Sequence, residues 1–216
     1  KMAAFDVSNT IMTSLAANSI TAVIGNWVRS RAKGVIEGFD YGTAGEIDKL
    51  EVESIKTVLN HGFIPIFPCI GWNSIGHPYN ISSMLLAQQV AINLKADKLF
   101  YVSQEGVIDN HRFNIPQEFA LSEKGNVPAM NLDEVDSFIK ENPNLDDLTR
   151  GLLQSAREAC SNGVTRVHLL DGKEDGSLLC EIFSDLGSGT MIYTSNYGKI
   201  RPMLQTDIPA VLGIMR

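Results

Sequence analysis

HPYNISSMLLAQQVAINLKADKLF, residues 77–100, passes from a polar turn through two serines into an apolar helix and on toward a strand. The free N–H groups and the dipole of such a helix start favour an anion. Asn80, Ser82 and Ser83 can equally be caps for the first turn, where Ser and Asn are preferred residues. A phosphate-transferring site would need an acid or a cation as well, and Met84 stands where that acid would sit. The helix predicted over 82–95 leads into KLFYVS (98–103), whose aromatic and apolar residues between turn signals predict a strand.

Working outward, the pattern repeats. Toward the N-terminus it predicts a helix over 2–17, a strand at TAVIGNWV (21–28) and a turn entering a short strand in FDYGTAGEI (39–47). A helix over 51–61 ends at Gly62, and FIPIFPCIG (63–71) reads as the best buried strand of this half, its two prolines suggesting a strand end or an irregular edge. Toward the C-terminus, residues 104–147 are polar and acidic with scattered Asn, Pro and Gly. They predict loops with short helices such as 133–140, and the greatest mobility of the chain. A helix over 148–161, a strand at RVHLL (166–170), a short helix at LLCEIF (178–183) and a strand at GTMIYTS (189–195) complete the series. Strands alternating with helices at this spacing define an α/β protein with a mostly parallel central sheet.

Composition narrows the function classes. The 216 residues are 44% hydrophobic and 20% charged, the balance of a globular protein. A net charge of −7 without a dense basic cluster argues against nucleic acid as a partner. No apolar run approaches the roughly 18–20 residues of a membrane span. Cys69, Cys160 and Cys180 are odd in number and far apart, so neither a disulfide framework nor a zinc site is expected, and a reducing cytoplasm is the natural setting. Lys1 runs straight into a helical pattern, and Arg216 falls within another (208–215). The chain is therefore expected to begin inside one domain and stop early in a second.

The glycines of LGSGT (186–190) do not form a dinucleotide fingerprint, because that motif follows a strand and opens a helix, the reverse of the order here. By local evidence Gly187 is a left-handed helix cap and Gly189 a turn residue. His168, inside an apolar strand, reads as a satisfied core histidine. Neither a catalytic Ser/His/Asp or Cys/His spacing nor a metal-ligand pattern is present.

The order of PYNISS, LKADKLFYVSQEGVI, RVHLLDGKEDGSLLCEIFSDLGSGTMI and IRPMLQTDI resembles the amino-acid kinase family, and within it the N-acetylglutamate synthase branch, in which a kinase-like domain precedes an acetyltransferase domain. The resemblance implies a three-layer αβα sandwich around a mainly parallel sheet, a carbamate kinase-like fold lacking its N-terminal part. Residues 1–198 would be the C-terminal portion of the kinase-like domain, and 199–216 the opening of a GNAT-like acetyltransferase domain. Acetylglutamate kinases carry Asn-x-Asn-Ala-Asp at the helix start. Here the run is Asn80-Ile81-Ser82-Ser83-Met84, and Leu152 is the best match to a nucleotide-contacting lysine. Phosphoryl transfer depends on positioned charge, so a vestigial kinase site without catalytic residues is implied.

In arginine-sensitive members the resemblance further implies an arginine site built from Glu181, Gly187, Gly189 and His168. A carboxylate there would read the guanidinium in fork geometry, beside carbonyls freed at a helix end. No cofactor is expected in this chain. L-glutamate and acetyl-CoA are implied for the parent enzyme, with L-arginine as effector and a homo-oligomer as the assembly. An active acetylglutamate kinase and a non-enzymatic arginine sensor are the competing readings. Met84 and Leu152 contradict the first, and the tail 200–216 separates the synthase from the second.

Overall fold

Strands and helices alternate along the described residues of this computed structural model, which are 1–104, 106–183 and 187–194. In chain order they are α1 (Met2–Ala17), β1 (Ala22–Ile24), β2 (Val28–Ala32), β3 (Val35–Ile36), β4 (Phe39–Asp40), β5 (Gly45–Leu50), α2 (Val52–Asn60), β6 (Ile64–Ile66), β7 (Ile70–Trp72), β8 (Pro78–Asn80), α3 (Ser83–Leu94), β9 (Lys98–Ser103), β10 (Ala129–Asn131), α4 (Leu132–Glu141), α5 (Asp147–Ser161), β11 (Arg166–Asp171), α6 (Ser177–Phe183) and β12 (Thr190–Tyr193). The C-terminal sheet has the order β10-β12-β11-β9. In it β9 runs parallel to β11 and β10 to β12, while β11 and β12 are antiparallel. A second sheet, β5-β2-β7-β8, contains the parallel pair β2–β7, and β1 pairs in parallel with β6. This is the α/β class with parallel sheet elements that the alternation predicts.

Helix α3 ties the two halves together. Its Ala91 belongs to the large core around β9–β12, α4 and α5, while its Leu86 packs with Val28, Leu50 and Ile81 in a smaller one. Ser82 caps it by accepting from Leu85 N–H, and Lys95 closes it in the left-handed region at φ 55°. The α4 start is held by a capping box: Asn131 Oδ1 accepts from Glu134 N–H at 3.0 Å, and Glu134 Oε2 accepts from Asn131 N–H at 2.7 Å.

Three sequence expectations are corrected. TAVIGNWV is not one strand. The chain breaks after Ile24 and turns Trp27 inward, edge-on to Phe67 at a centroid separation of 5.1 Å, so aromatic burial outweighs strand continuity. FIPIFPCIG splits into β6 and β7, and its first strand is not deeply buried, with Ile64 40% exposed. Pro65 and Pro68 remove ladder donors there, and Cys69 adopts a φ of 56°. Finally, 104–147 is not merely loop. It contributes β10 and the fully buried Ile108, Val127 and Met130. Thr190 binds this segment to β12, its hydroxyl donating to Val127 C=O at 2.8 Å and accepting from Ile108 N–H at 3.0 Å. Tertiary hydrogen bonds of this kind leave no periodic signal along the sequence.

Candidate functional site

Two clusters hold the residues singled out by sequence. The first lies where α3 meets α5. Asn80 closes β8 in an exposed position, its N–H donating to Thr43 C=O at 2.8 Å and its Nδ2 reaching Thr43 Oγ1 at 3.4 Å. A cavity of about 760 Å³ opens beside it, walled by Asn80, Ser82 and Gln88 on one side and by Lys33, Glu46 and Lys49 on the other. Ser83, Met84 and Leu152 are not among its walls. Met84 instead packs into the large core, and Leu152 is buried in the same core at 4% exposure. The two helices approach at Gly151, where a Cβ would lie 3.0 Å from Met84 Cε. The absence of a side chain at Gly151 leaves room for the Met84 thioether to lie against α5.

Behind this apolar seam runs a buried polar chain that the sequence reading missed. Tyr101 OH donates to Met84 C=O at 3.0 Å and lies 2.9 Å from Ser155 Oγ, which donates to Gln88 Oε1 at 2.8 Å. Burial pushes the Tyr101 phenol above its ordinary pKa, with the Ser155 contact opposing it, so the group stays a neutral donor. Its only sequence signal is a Gln and a Ser on otherwise apolar helix faces.

The second cluster surrounds Glu181 on α6. His168 Nδ1 lies 2.6 Å from Glu181 Oε1, and both side chains are only 6% exposed. Glu181 Oε2 accepts from Ser188 N–H at 2.8 Å and Gly189 N–H at 2.9 Å. Burial pushes the Glu181 carboxyl up, but the bonds from His168, Gly189 and Ser188 outweigh it and hold it below the ordinary 4.5. His168 also stacks on Phe100 at 4.7 Å, and its Nε2 is buried without a hydrogen-bond partner. It is thus a half-satisfied core histidine rather than the fully satisfied one expected.

The glycines explain themselves. Gly187 has φ +63°, and a Cβ there would meet Glu181 Oε2 at 2.6 Å, so both conformation and space demand glycine. Gly189 is needed for close approach, since a Cβ would lie 2.4 Å from Leu169 C=O. The structure therefore brings all four residues together. The carboxylate, however, is occupied by internal donors and buried. A guanidinium could fork onto it only by displacing His168 or the turn. Next to it, at the carboxyl ends of β9 and β11, a cavity of about 300 Å³ is lined by Gln104, Asp171, Lys173, Glu174 and Ser188 among others. Its mixed charge suits a zwitterion, and such strand ends are the usual ligand crevice of parallel sheets.

Other chemistry is poorly supplied. Among the described residues no group of three His, Cys, Asp or Glu could hold a metal ion, and no helix is long and apolar enough to cross a membrane. Cys69, Cys160 and Cys180 form no disulfide, and burial pushes the Cys160 thiol up to about 11, which leaves it inert. The tail 200–216, on which the acetyltransferase-like opening was read, lies outside the described residues.

An α/β fold with parallel sheet elements matches one class. Residues 3–171 fit the amino acid kinase family, and the chain belongs to it. Its relatives are more particular. It is 34% identical over 209 residues to the amino-acid acetyltransferase of Vibrio cholerae, covering 94% of this chain and 45% of that protein. It is 31% identical to that of Pasteurella multocida, covering 98% and 47%. Among solved structures it superposes on N-acetylglutamate synthase from Neisseria gonorrhoeae complexed with coenzyme A and N-acetyl-glutamate with a TM-score of 0.75, at 30% identity, covering 99% of this chain and 48% of that one. The complex with coenzyme A and L-arginine gives 0.72 at 30% identity, covering 91% and 43%. Giardia carbamate kinase, at 13% identity, 89% and 70% coverage and a TM-score of 0.59, shares the fold alone. The chain spans about half the length of the curated relatives it matches.

Proposed function

We propose that this chain is the kinase-like regulatory and assembly part of a cytoplasmic, homo-oligomeric amino-acid acetyltransferase that forms N-acetylglutamate from acetyl-CoA and L-glutamate, the first step of arginine biosynthesis. The kinase-like part itself carries out no phosphoryl transfer. The observation that carries the reading is the α3–α5 seam, where Met84 packs against Gly151 and Leu152 is buried, so two positions that a kinase would charge are apolar core. Similarity to acetyltransferases and to N-acetylglutamate synthase supports the parent activity. Residues 1–198 are read as the C-terminal portion of the kinase-like domain and 199–216 as the start of the acetyltransferase domain.

L-Arginine is the proposed effector, supported by the arginine-complexed relative and by the Glu181 cluster. Glu181 holds the 187–190 turn, and the adjoining cavity offers Asp171 and Glu174 to a guanidinium and Lys173 to a carboxylate. The test uses the complete gene product. Coenzyme A release from acetyl-CoA and glutamate, with no ATP-dependent acyl phosphate at about 1 per second or faster, is expected. Arginine should raise the thermal midpoint, since a ligand bound only to the native state stabilises by about 2.7 kcal/mol at a hundredfold excess over Kd. Kinase turnover, or indifference to millimolar arginine, overturns the corresponding half of the reading.

A further inference from the structure

The cavity of about 760 Å³ between β5 and α3 is separate from the Met84–Gly151 seam, since neither residue is among its walls. Its size is that of a small-molecule site. Along it α3 presents the amides of Gln88, Gln89 and Asn93, with Leu85 nearer the helix start. Gln88 is only 5% exposed, and its Oε1 accepts from Ser155 Oγ at 2.8 Å. The other end of the amide, Nε2, has no partner among the described residues, which leaves a buried donor of two protons for the cavity that Gln88 lines. Buried donors are normally satisfied, so this one points to an acceptor supplied by a ligand.

The charge of the walls is largely spent, with one exception. Glu46 is held by Arg31 at 3.0 Å and Lys49 by Glu51 at 3.2 Å, while Asp48 is exposed to solvent. Lys33 Nζ lies 3.8 Å from the Tyr41 ring centroid and pairs with no carboxylate among the described residues. A single ammonium binds phosphate as a point charge, whereas a carboxylate favours the fork of an arginine. Lys33 is also the foot of the β3–β4 hairpin, which has two residue pairs, Val35–Asp40 and Ile36–Phe39. Val35, Ile36 and Phe39 are exposed, Phe39 by 65%, and two strands without a core beneath them are marginally stable in water. Gly34 and Gly42 flank the hairpin at φ +73° and +55°, a small residue at each end for a hinge. Leu85, on the cavity wall, is 53% exposed, so apolar surface waits on both sides of a polar cavity.

We propose that this cavity binds a nucleoside monophosphate, with the phosphate on Lys33, the base edge on the Gln88 and Gln89 amides, and Phe39 folding over the base as the 34–42 hairpin closes. Amide contacts to a base edge and stacking on an aromatic ring are general modes of holding a nucleobase. The site is distinct from the Glu181 cluster and goes beyond the arginine reading.

Titration calorimetry of the complete gene product with adenosine monophosphate decides the matter, in saturating coenzyme A so that the acetyl-CoA site is filled. Binding is expected, with slower hydrogen–deuterium exchange across 34–42. Adenosine alone and inorganic phosphate alone should each bind at least about tenfold more weakly. Gln88→Glu keeps the acceptor for Ser155 but removes the N–H donors. Lys33→Ala and Phe39→Ala change residues outside both apolar cores, so these two variants keep the fold. Each of the three should weaken the nucleotide about tenfold or more. Equal binding by all three variants, or none by the wild type at millimolar nucleotide, overturns the inference. So does displacement by coenzyme A, or inorganic phosphate that binds as tightly as the nucleotide. Absence of acetyl transfer would sink the functional reading alone, because this binding is read without turnover.

Discussion

His168 Nδ1 and Glu181 Oε1 meet at 2.6 Å across the β11–α6 contact, with neither side chain more than 6% exposed. The pair fixes the imidazole tautomer, since Nδ1 must donate to an ionised carboxylate, and it holds the carboxylate where the Ser188 and Gly189 N–H groups converge. Glu181 is thereby a positioning residue for the turn. Glu181→Gln keeps the shape but turns one acceptor into a donor facing these N–H or imidazole donors. We expect a loss of about 1–3 kcal/mol in unfolding free energy by chemical denaturation. Asp171→Asn should weaken the arginine response with little loss of stability, a contrast that separates holding the turn from reading the ligand.

The same carboxylate sets an acid limit. Its folded pKa lies below the ordinary 4.5, so the unfolded state binds the proton more readily. The stability this contributes is present above about pH 4.5 and is lost as pH falls through the folded value. The midpoint of Glu181→Gln should therefore fall less steeply than that of the wild type when thermal melts are repeated from about pH 5 down to about pH 3. Parallel slopes would show that the carboxylate titrates alike in both states.

Thr190→Val replaces a fully buried hydroxyl by a methyl of similar size. It strands the N–H of Ile108 and the C=O of Val127, both on residues with no exposure. A cost of about 2–4 kcal/mol is expected in urea unfolding, with faster exchange of the 104–128 amides. Unchanged exchange there would mean that apolar packing alone holds the segment.

An acid placed at position 84 should not create a kinase. Met84→Asp puts a carboxylate against Gly151 in the apolar seam, and we expect about 1–3 kcal/mol of destabilisation with no ATP turnover. A stable, phosphorylating variant would show that the seam is still a kinase site lacking a single charge.

Asn131→Ala removes half of the α4 capping box and should cost about 1 kcal/mol, read as a lower denaturant midpoint with unchanged slope. Asn131→Ser should recover most of it, because a serine hydroxyl accepts the same N–H.

Much of this was legible in the chain. Apolar period and cap residues predict α3, α5 and β9 nearly residue for residue, because each of these elements is specified by contacts within a few positions of sequence. The apolar character of Met84 and Leu152 is likewise read from residue type, and so is the glycine that suits the left-handed backbone at 187. Only the tertiary structure decided the rest. That Glu181 is occupied by His168, Ser188 and Gly189, that Tyr101, Ser155 and Gln88 form one buried chain, and that Thr190 clasps 104–128 to β12 all depend on partners 7 to 82 positions apart. Such partners are set by how the sheets and helices pack, a relation that no local period records. The strands lost at Trp27 and at Pro65–Cys69 have the same origin, where burial of a distant ring and missing ladder donors overrode local β propensity.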